Sequence, residues 1–464
     1  MLKLYNSLGR NLQDFVPMNQ GEVKMYTCGP TVWNYAHIGN FRTFVFEDLL
    51  RRYLRFKGYR VFQVMNITDV EDKIIKGIRE SHKPLKEHTR FYEAAFMADL
   101  ESLRVERADL YPRATEHIPE MVSLVRTLME KGFAYRAPDG SIYFSVSKFK
   151  NYGALSGVRL DSLKPAGRVA SDHYEEKLEA ADFALWKAWD NEDGEVFWDT
   201  ELGRGRPGWS IECSAMSMKY LGETIDIHTG GLDHIPIHHE NEIAQSESAT
   251  GHPFVRYFVH NAFLVGMEGA KISKSAGRFP VLDDLVAAAI DPLAFRLLCF
   301  GAKYRSELAF NLDAVRAAAK NLGYLQEFTR SLPESAIGAD DAAWAAEYRE
   351  RFHDALNNDL NTPVALAVML ELVAEANRRQ DPRVWHTLNE FDQVVNLGLA
   401  HELRASREEA TDARLQGLLE QREAARQARD YQRSDDLRRE IEALGWEIKD
   451  TKEGPRITRR RGTP

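Results

Sequence analysis

Two short segments hold the residue types that handle phosphate chemistry. In CGPTVWNYAHIGN, Cys28 to Asn40, His37 sits where a glycine-punctuated loop runs into an apolar pattern of helical spacing. A helix starting there would turn backbone N–H groups and partial positive charge toward a phosphate. Gly29 and Gly39 would allow close approach, and His37 and Asn40 would add side-chain donors. In GAKISKS, Gly269 to Ser275, Lys271 and Lys274 could neutralise charge developing on a departing pyrophosphate. Taken alone, the first segment reads as a plain helix start and the second as a solvated loop. A second group suits a soft metal. Cys28 and Cys213 offer thiols, and His238 and Glu242 share one helix face at i, i+4. By spacing alone the metal signal is weak. There is no C-x-x-C pair, and each cysteine reads first as a buried structural thiol.

These residues need elements to position them. Residues 22–27, EVKMYT, read as a strand, CGP as a turn, AHIGNFRTFVFEDLLRRYLRFKGY as a helix and YRVFQVMNITDV as a second strand. That is the opening of a βαβ unit with a parallel sheet. A helical stretch covers about 85–135, with a turn at YPRATEH, and PDGSIYFSV has strand character. Residues 136–205 are rich in turn formers and aromatics and read as an insertion. HTGGLDHIP returns to strand and loop, HHENEIAQSESATG to a helix stopping at Gly251, and RYFVHNAFLV to a strand. Beyond Ser275 the spacing predicts helix after helix. LPESAIGADD (332–341) reads as a joint, and RASREEATDA, Arg404 to Ala413, as a second, more polar one. A charged helical pair and a hairpin, GWEIKDTKEGPRITRR, close the chain. The expected divisions are a catalytic domain over 1–280 with an insertion at about 95–205, helical regions over 281–330 and 331–400, and a small α+β module over 401–464.

The bulk of the chain agrees. A length of 464 residues allows several domains, and 44% apolar with 28% charged residues is ordinary for a soluble protein. No apolar run of about 18 residues predicts a membrane span, and the first residues lack a secretory pattern. Three scattered cysteines, Cys28, Cys213 and Cys299, form no disulfide framework, which suits a reducing cytoplasm. A net charge of −9 argues against a general polyanion binder. From His401 onward, however, basic residues slightly outnumber acidic ones, with Arg456, Arg459, Arg460 and Arg461 near the end.

In their order along the chain, AHIGN and KISKS resemble the HIGH and KMSKS elements of class I aminoacyl-tRNA synthetases. GRPGWSIECSAM (205–216) and HTGGLDHIPIHHENEIAQSE (228–247) narrow the resemblance to the cysteinyl-tRNA synthetases. It implies a Rossmann-like α/β catalytic domain, then a helical tRNA-binding region and a C-terminal anticodon-reading module. It implies a monomer that uses ATP with Mg2+, L-cysteine and cysteine tRNA. It also implies one zinc ion, held by Cys28 in YTCGP, Cys213 in IECSA, and His238 and Glu242 in HHENE. By the same resemblance, His37 and Lys274 contact ATP, and Trp209, Thr68, Asp233 and His239 line the substrate pocket. His228 and His260 also match histidines of the family's site; His234 matches none and is expected to be exposed. Asn40 stands where HIGH ends in histidine, Ser210 where a histidine usually follows the tryptophan, and Pro236 is displaced from its usual place.

Two rival functions keep the scaffold. One is a paralogue that adenylates cysteine and passes it to a small amine; such a relative lacks the long C-terminal region found here. The other is a non-catalytic RNA-binding paralogue, against which the retained lysines and metal ligands argue. The KIIK stretch, Lys73 to Lys76, resembles a segment linked to persulfide formation in the family, but its plain reading is a solvated helix face.

Overall fold

The computed structural model describes residues 1–158, 177–266, 280–444, 446–451 and 454–459. The predicted lysine segment, with Lys271 and Lys274, lies outside them, as do Arg460 and Arg461.

Four parallel strands form the central sheet, in the order Val255–Asn261, Ile225–Gly231, Glu22–Thr27, Arg60–Met65. Ile225–Gly231 is buried along its whole length, as a strand covered on both faces must be. The chain builds outward from Glu22–Thr27 to Arg60–Met65, then returns to the other side for Ile225–Gly231. The crevice beyond the C-terminal ends of the two middle strands is therefore a topological switch point, where open α/β sheets receive ligands. The first crossover is the helix Ile38–Phe56, which buries Phe41, Phe44, Val45, Leu49 and Leu50 at helical spacing.

The insertion has its own sheet, five antiparallel strands in the order Ala134–Arg136, Ile142–Phe144, Phe183–Ala188, Gly203–Pro207, Trp198–Thr200, packed on the helix Ile118–Glu130. It shares a second core with its neighbours, from Val70 and Ile75 through Ala114, Leu128, Phe144 and Trp186 to Met216 and Ala244. Phe96 and Leu100, on the helix Leu85–Ser102, belong instead to the main core.

The main core runs without interruption from Leu2 through the sheet into the helices after 281, as far as Leu403. A buried ion pair pins the two regions together. Arg296 Nη2 donates to Asp48, its Nε to Val395 O at 2.7 Å and its Nη1 to Leu103 O at 3.0 Å. The expected joint at Arg404 to Ala413 does not exist; it falls within one helix, Leu399–Gln427. Seven of the ten residues in the polar run that suggested a break are Ala, Arg or Glu, strong helix formers, and none is proline. One end of this helix belongs to the main core through Leu399 and Leu403. The other end, through Leu415, Leu418 and Ala425, belongs to a small core shared with Leu437, Ile441 and Ile448. The helix Tyr431–Ala443 and the antiparallel hairpin Trp446–Thr451/Gly454–Arg459 complete that module.

Candidate active site

Cys28 follows the strand Glu22–Thr27 directly, and its N–H donates to Thr229 O on the neighbouring strand at 3.3 Å. Cys213 lies in the second turn of the helix Trp209–Leu221. The chain from the strand Ile225–Gly231 reaches Glu242 through one π-helical turn, Ile235–His239, which passes into the helix Glu240–Thr250. The wider turn lets the consecutive His238 and His239 both face inward. Cys28 Sγ, Cys213 Sγ and one ligand atom each of His238 and Glu242 all lie within 4.8 Å of one another, and all four residues are buried. His238 Nε2 sits 3.3 Å from Cys213 Sγ and 3.1 Å from Glu242 Oε1.

A second set overlaps the first: Cys28 and Glu242 with His228 and His239. Its two histidines have other partners as well. His228 Nε2 holds Glu242 Oε2 at 2.9 Å, His239 Nδ1 pairs with His260 Nε2 at 2.7 Å, and His260 Nδ1 reaches Ser7 Oγ at 2.8 Å. His239 Nε2 lies 3.3 Å from Cys28 Sγ.

Burial drives every member of the first set toward its uncharged form. It pushes the Cys28 and Cys213 thiols and the Glu242 carboxyl up, and the His238 imidazole well down. Two thiols and a carboxyl packed together without a cation side chain can ionise jointly only if a positive charge joins them. The donor set, two sulfurs with one nitrogen and one carboxylate oxygen, is one that a tetrahedral zinc ion accepts.

Beside this cluster lies a cavity of about 240 Å³ at the ends of the strands, lined by His37, Gly39, Asn40, Asp233, His234 and Asn261 among others. His37 is the N-cap of the helix Ile38–Phe56. Burial lowers its imidazole pKa, partly opposed by Asp233. Gly39 lets the His37 ring lie close, since a Cβ there would come within 3.1 Å of it. Asn40 Oδ1 accepts from the His37 backbone N–H at 3.1 Å, so the amide caps the helix that presents the histidine. Leu264 and Pro280, on either side of the lysine segment, also line the cavity.

His234 corrects its sequence expectation. It is half-buried, lines the cavity, and its ring centroid lies 5.4 Å from that of His238 and 5.3 Å from that of His239. It thereby joins the cavity to the cluster. Trp209, also half-buried, lays its ring against His238 with centroids 4.2 Å apart. Three other residues act as supports in this structure. Gly29 is pressed on the chain beside it, since a Cβ would meet Asn66 O at 1.8 Å. Thr68 Oγ1 donates to the buried Glu212 at 3.0 Å. Ser210 Oγ accepts from Gln245 Nε2 at 2.8 Å within the helix packing. Glu212 escaped the sequence reading because a carboxylate beside a cysteine carries no local sign of burial.

The family described as tRNA synthetases class I (C) catalytic domain matches residues 14–320, and the DALR domain matches residues 351–408. The cysteine–tRNA ligase of Chlamydia muridarum (strain MoPn / Nigg) is 43% identical over 479 residues, covering 98% of this chain and 99% of that one. That of Solibacter usitatus (strain Ellin6076) is 44% identical over 475 residues, covering 99% and 100%. Among solved structures, Mycobacterium tuberculosis methionyl-tRNA synthetase bound by methionyl-adenylate aligns with a TM-score of 0.59 at 15% identity. It covers 82% of this chain and 92% of that chain, a likeness of fold.

Proposed function

Since the chain belongs to the cysteinyl-tRNA synthetases of class I, we propose that its buried donor cluster selects the amino acid and the adjoining cavity activates it. The reaction is the ATP-dependent ligation of L-cysteine to cysteine tRNA. The cysteine carboxylate attacks the α-phosphorus of Mg2+-bound ATP and pyrophosphate leaves. A hydroxyl of the terminal adenosine of the tRNA then attacks the carbonyl carbon and AMP leaves.

The observation that carries the residue roles is the contact between cluster and cavity through His234 and Trp209. An amino acid spanning the two would turn its thiol to one and its carboxylate to the other. Cys28, Cys213, His238 and Glu242 would hold a zinc ion, which would supply a soft acceptor that takes thiolate far better than hydroxyl and so would separate cysteine from serine. His228 fixes Glu242 by its second oxygen, as supporting hydrogen bonds fix metal-ligating carboxylates. Trp209 covers His238 and keeps water from that side. His239, on the far side of Cys28, would line the thiol pocket.

At the cavity, His37 would donate to ATP phosphate from the helix start, with Asn40 holding its backbone. The exposed Asp233 carboxylate would take the amino group or a nucleotide hydroxyl. Lys271 and Lys274 would meet the leaving pyrophosphate, a role supported by Leu264 and Pro280 bordering the cavity. The helices after 281 and the module after 401 would hold the tRNA, the latter at its anticodon. We place the enzyme in the cytoplasm as a monomer; no helix among the described residues is long and apolar enough to cross a membrane.

ATP–pyrophosphate exchange and tRNA charging on the purified enzyme test these assignments together with zinc content. Exchange should require cysteine, refuse serine and track zinc at one ion per chain. Full cysteine-dependent exchange by metal-free protein would overturn the selection role.

A further inference from the structure

One wall of the cavity, residues 261–264, is held by a side chain that does not line it. Arg42, in the second turn of the helix headed by His37, is 2% exposed. Its contacts are backbone carbonyls of two loops. Nη1 donates to Ala262 O at 3.0 Å and to Phe263 O, and Nη2 to Lys303 O at 3.3 Å and to Ser306 O. Ala262 and Phe263 are cavity residues. Lys303 and Ser306 belong to a connector, residues 301–307, between the helix Pro292–Phe300 and the strand Leu308–Ala309. Wall and connector also bond directly, Ala262 N–H to Tyr304 O at 2.8 Å and Leu308 N–H to Phe263 O at 3.1 Å.

The connector is gripped from its other side by Asp359. This buried carboxylate accepts from Tyr304 Oη at 2.6 Å, Arg305 Nε at 2.7 Å and the Tyr5 N–H at 2.8 Å. Asp359 stands between the helices Ala345–Asn357 and Thr362–Arg379, in the DALR-matched region. It and Leu360 both adopt left-handed backbone, with φ of 59° and 50°. Two such residues in succession are costly without glycine and persist only where the surroundings enforce them. The turn is held so that its carboxylate reaches the connector.

We propose that Arg42 is a positioning residue for the nucleotide, acting through the 261–264 wall, and that Asp359 completes it from the helical region by bracing the connector behind that wall. This rests on the cavity being the ATP site. A guanidinium fork bridges two pairs of carbonyls at once; a lysine presents one nitrogen and cannot.

The test is cysteine-dependent pyrophosphate exchange by the full chain, with active sites counted by titration, for wild type, Arg42→Lys, Asp359→Asn, the double variant and His37→Ala. The KM for ATP should rise about tenfold in Arg42→Lys and about threefold in Asp359→Asn, while the KM for cysteine stays within about twofold. The double variant should fall short of the product of the two effects, because both act on one connector. A fall in active fraction or Tm alone, an equal rise in the KM for cysteine, or a full product in the double variant would overturn the proposal. Asp359→Asn retains the turn and most of its contacts, so it decides the matter even where Arg42→Lys does not fold. His37→Ala keeps the two failures apart: an unchanged kcat/KM for ATP there would show that the cavity is not the ATP site, whatever Arg42 does.

Discussion

Replacing Cys213 with serine separates the two donor sets that share Cys28 and Glu242. Cys213 belongs only to the set with His238, whereas His228 and His239 make up the other. Four ligands of a structural zinc site together supply roughly 10–16 kcal/mol, so losing one thiolate costs about 3 kcal/mol. At about 1.4 kcal/mol per decade, zinc affinity should fall by roughly two orders of magnitude in Cys213→Ser. His228→Asn should cost less, about 10- to 100-fold, because that ring only steadies Glu242 Oε2. Competition against a chromophoric chelator reads both affinities, and elemental analysis gives the stoichiometry. Cys213→Ser should also bind cysteine far more weakly while its KM for ATP holds, since Cys213 is not among the residues lining the cavity. Wild-type zinc affinity in Cys213→Ser, with a collapse in His228→Asn, would refute the reasoning and assign the metal to the other set.

Lys274→Ala should slow adenylate formation by roughly two orders of magnitude with little change in cysteine affinity; single-turnover measurement checks it, and a defect in tRNA charging alone would count against it. A chain ending at Ala405 keeps Leu403 in the main core and removes the small core of Leu415, Leu418 and Leu437; it should retain pyrophosphate exchange and lose most tRNA charging, mainly through tRNA binding in a salt-dependent assay. Asp48→Asn would leave Arg296 buried without its counter-charge and should cost about 3–5 kcal/mol in urea unfolding. Burial would raise the Asp48 pKa, but Arg296 and Arg52 hold it below the usual range; its stabilisation is therefore complete above about pH 4 and lost as pH falls further, a decline the variant should lack. Glu47 has the opposite sign: burial pushes it up to about 8, against a bond from Thr229 Oγ1 at 2.7 Å. Its unfolded form releases its proton near pH 4.3, so wild type should lose stability relative to Glu47→Gln between about pH 4.3 and 8, by at most about 1.4 kcal/mol per unit; parallel pH profiles would refute this.

The sequence read the central elements closely. EVKMYT is the strand Glu22–Thr27, the helix after His37 runs Ile38–Phe56, and the helix expected to stop at Gly251 ends at Thr250 with Gly251 at φ 82°. Such features follow from side-chain period and turn sterics over a few neighbours. The false joint at Arg404 to Ala413 has the same origin: local polarity resembled a break, while two separate cores at the helix ends held it continuous.

What the sequence determined by itself was the inventory: which residues could ligate a soft metal, which could meet phosphate, and, by resemblance, which family of reactions joins them. The tertiary structure alone decided the rest. Cys28 and Cys213 become neighbours only because two strands and a helix converge at the switch point of the sheet. His234, expected in solvent, links the two halves of the site because Gly230, with no side chain, leaves it room: a Cβ there would meet its Nδ1 at 2.6 Å. Ser210 bonds Gln245 inside the helix packing. The pKa shifts of the thiols and histidines come from burial, and burial is a property of the whole packed core. No stretch of a few residues fixes which distant segments will pack beside it, because that choice depends on burying apolar surface across the entire chain.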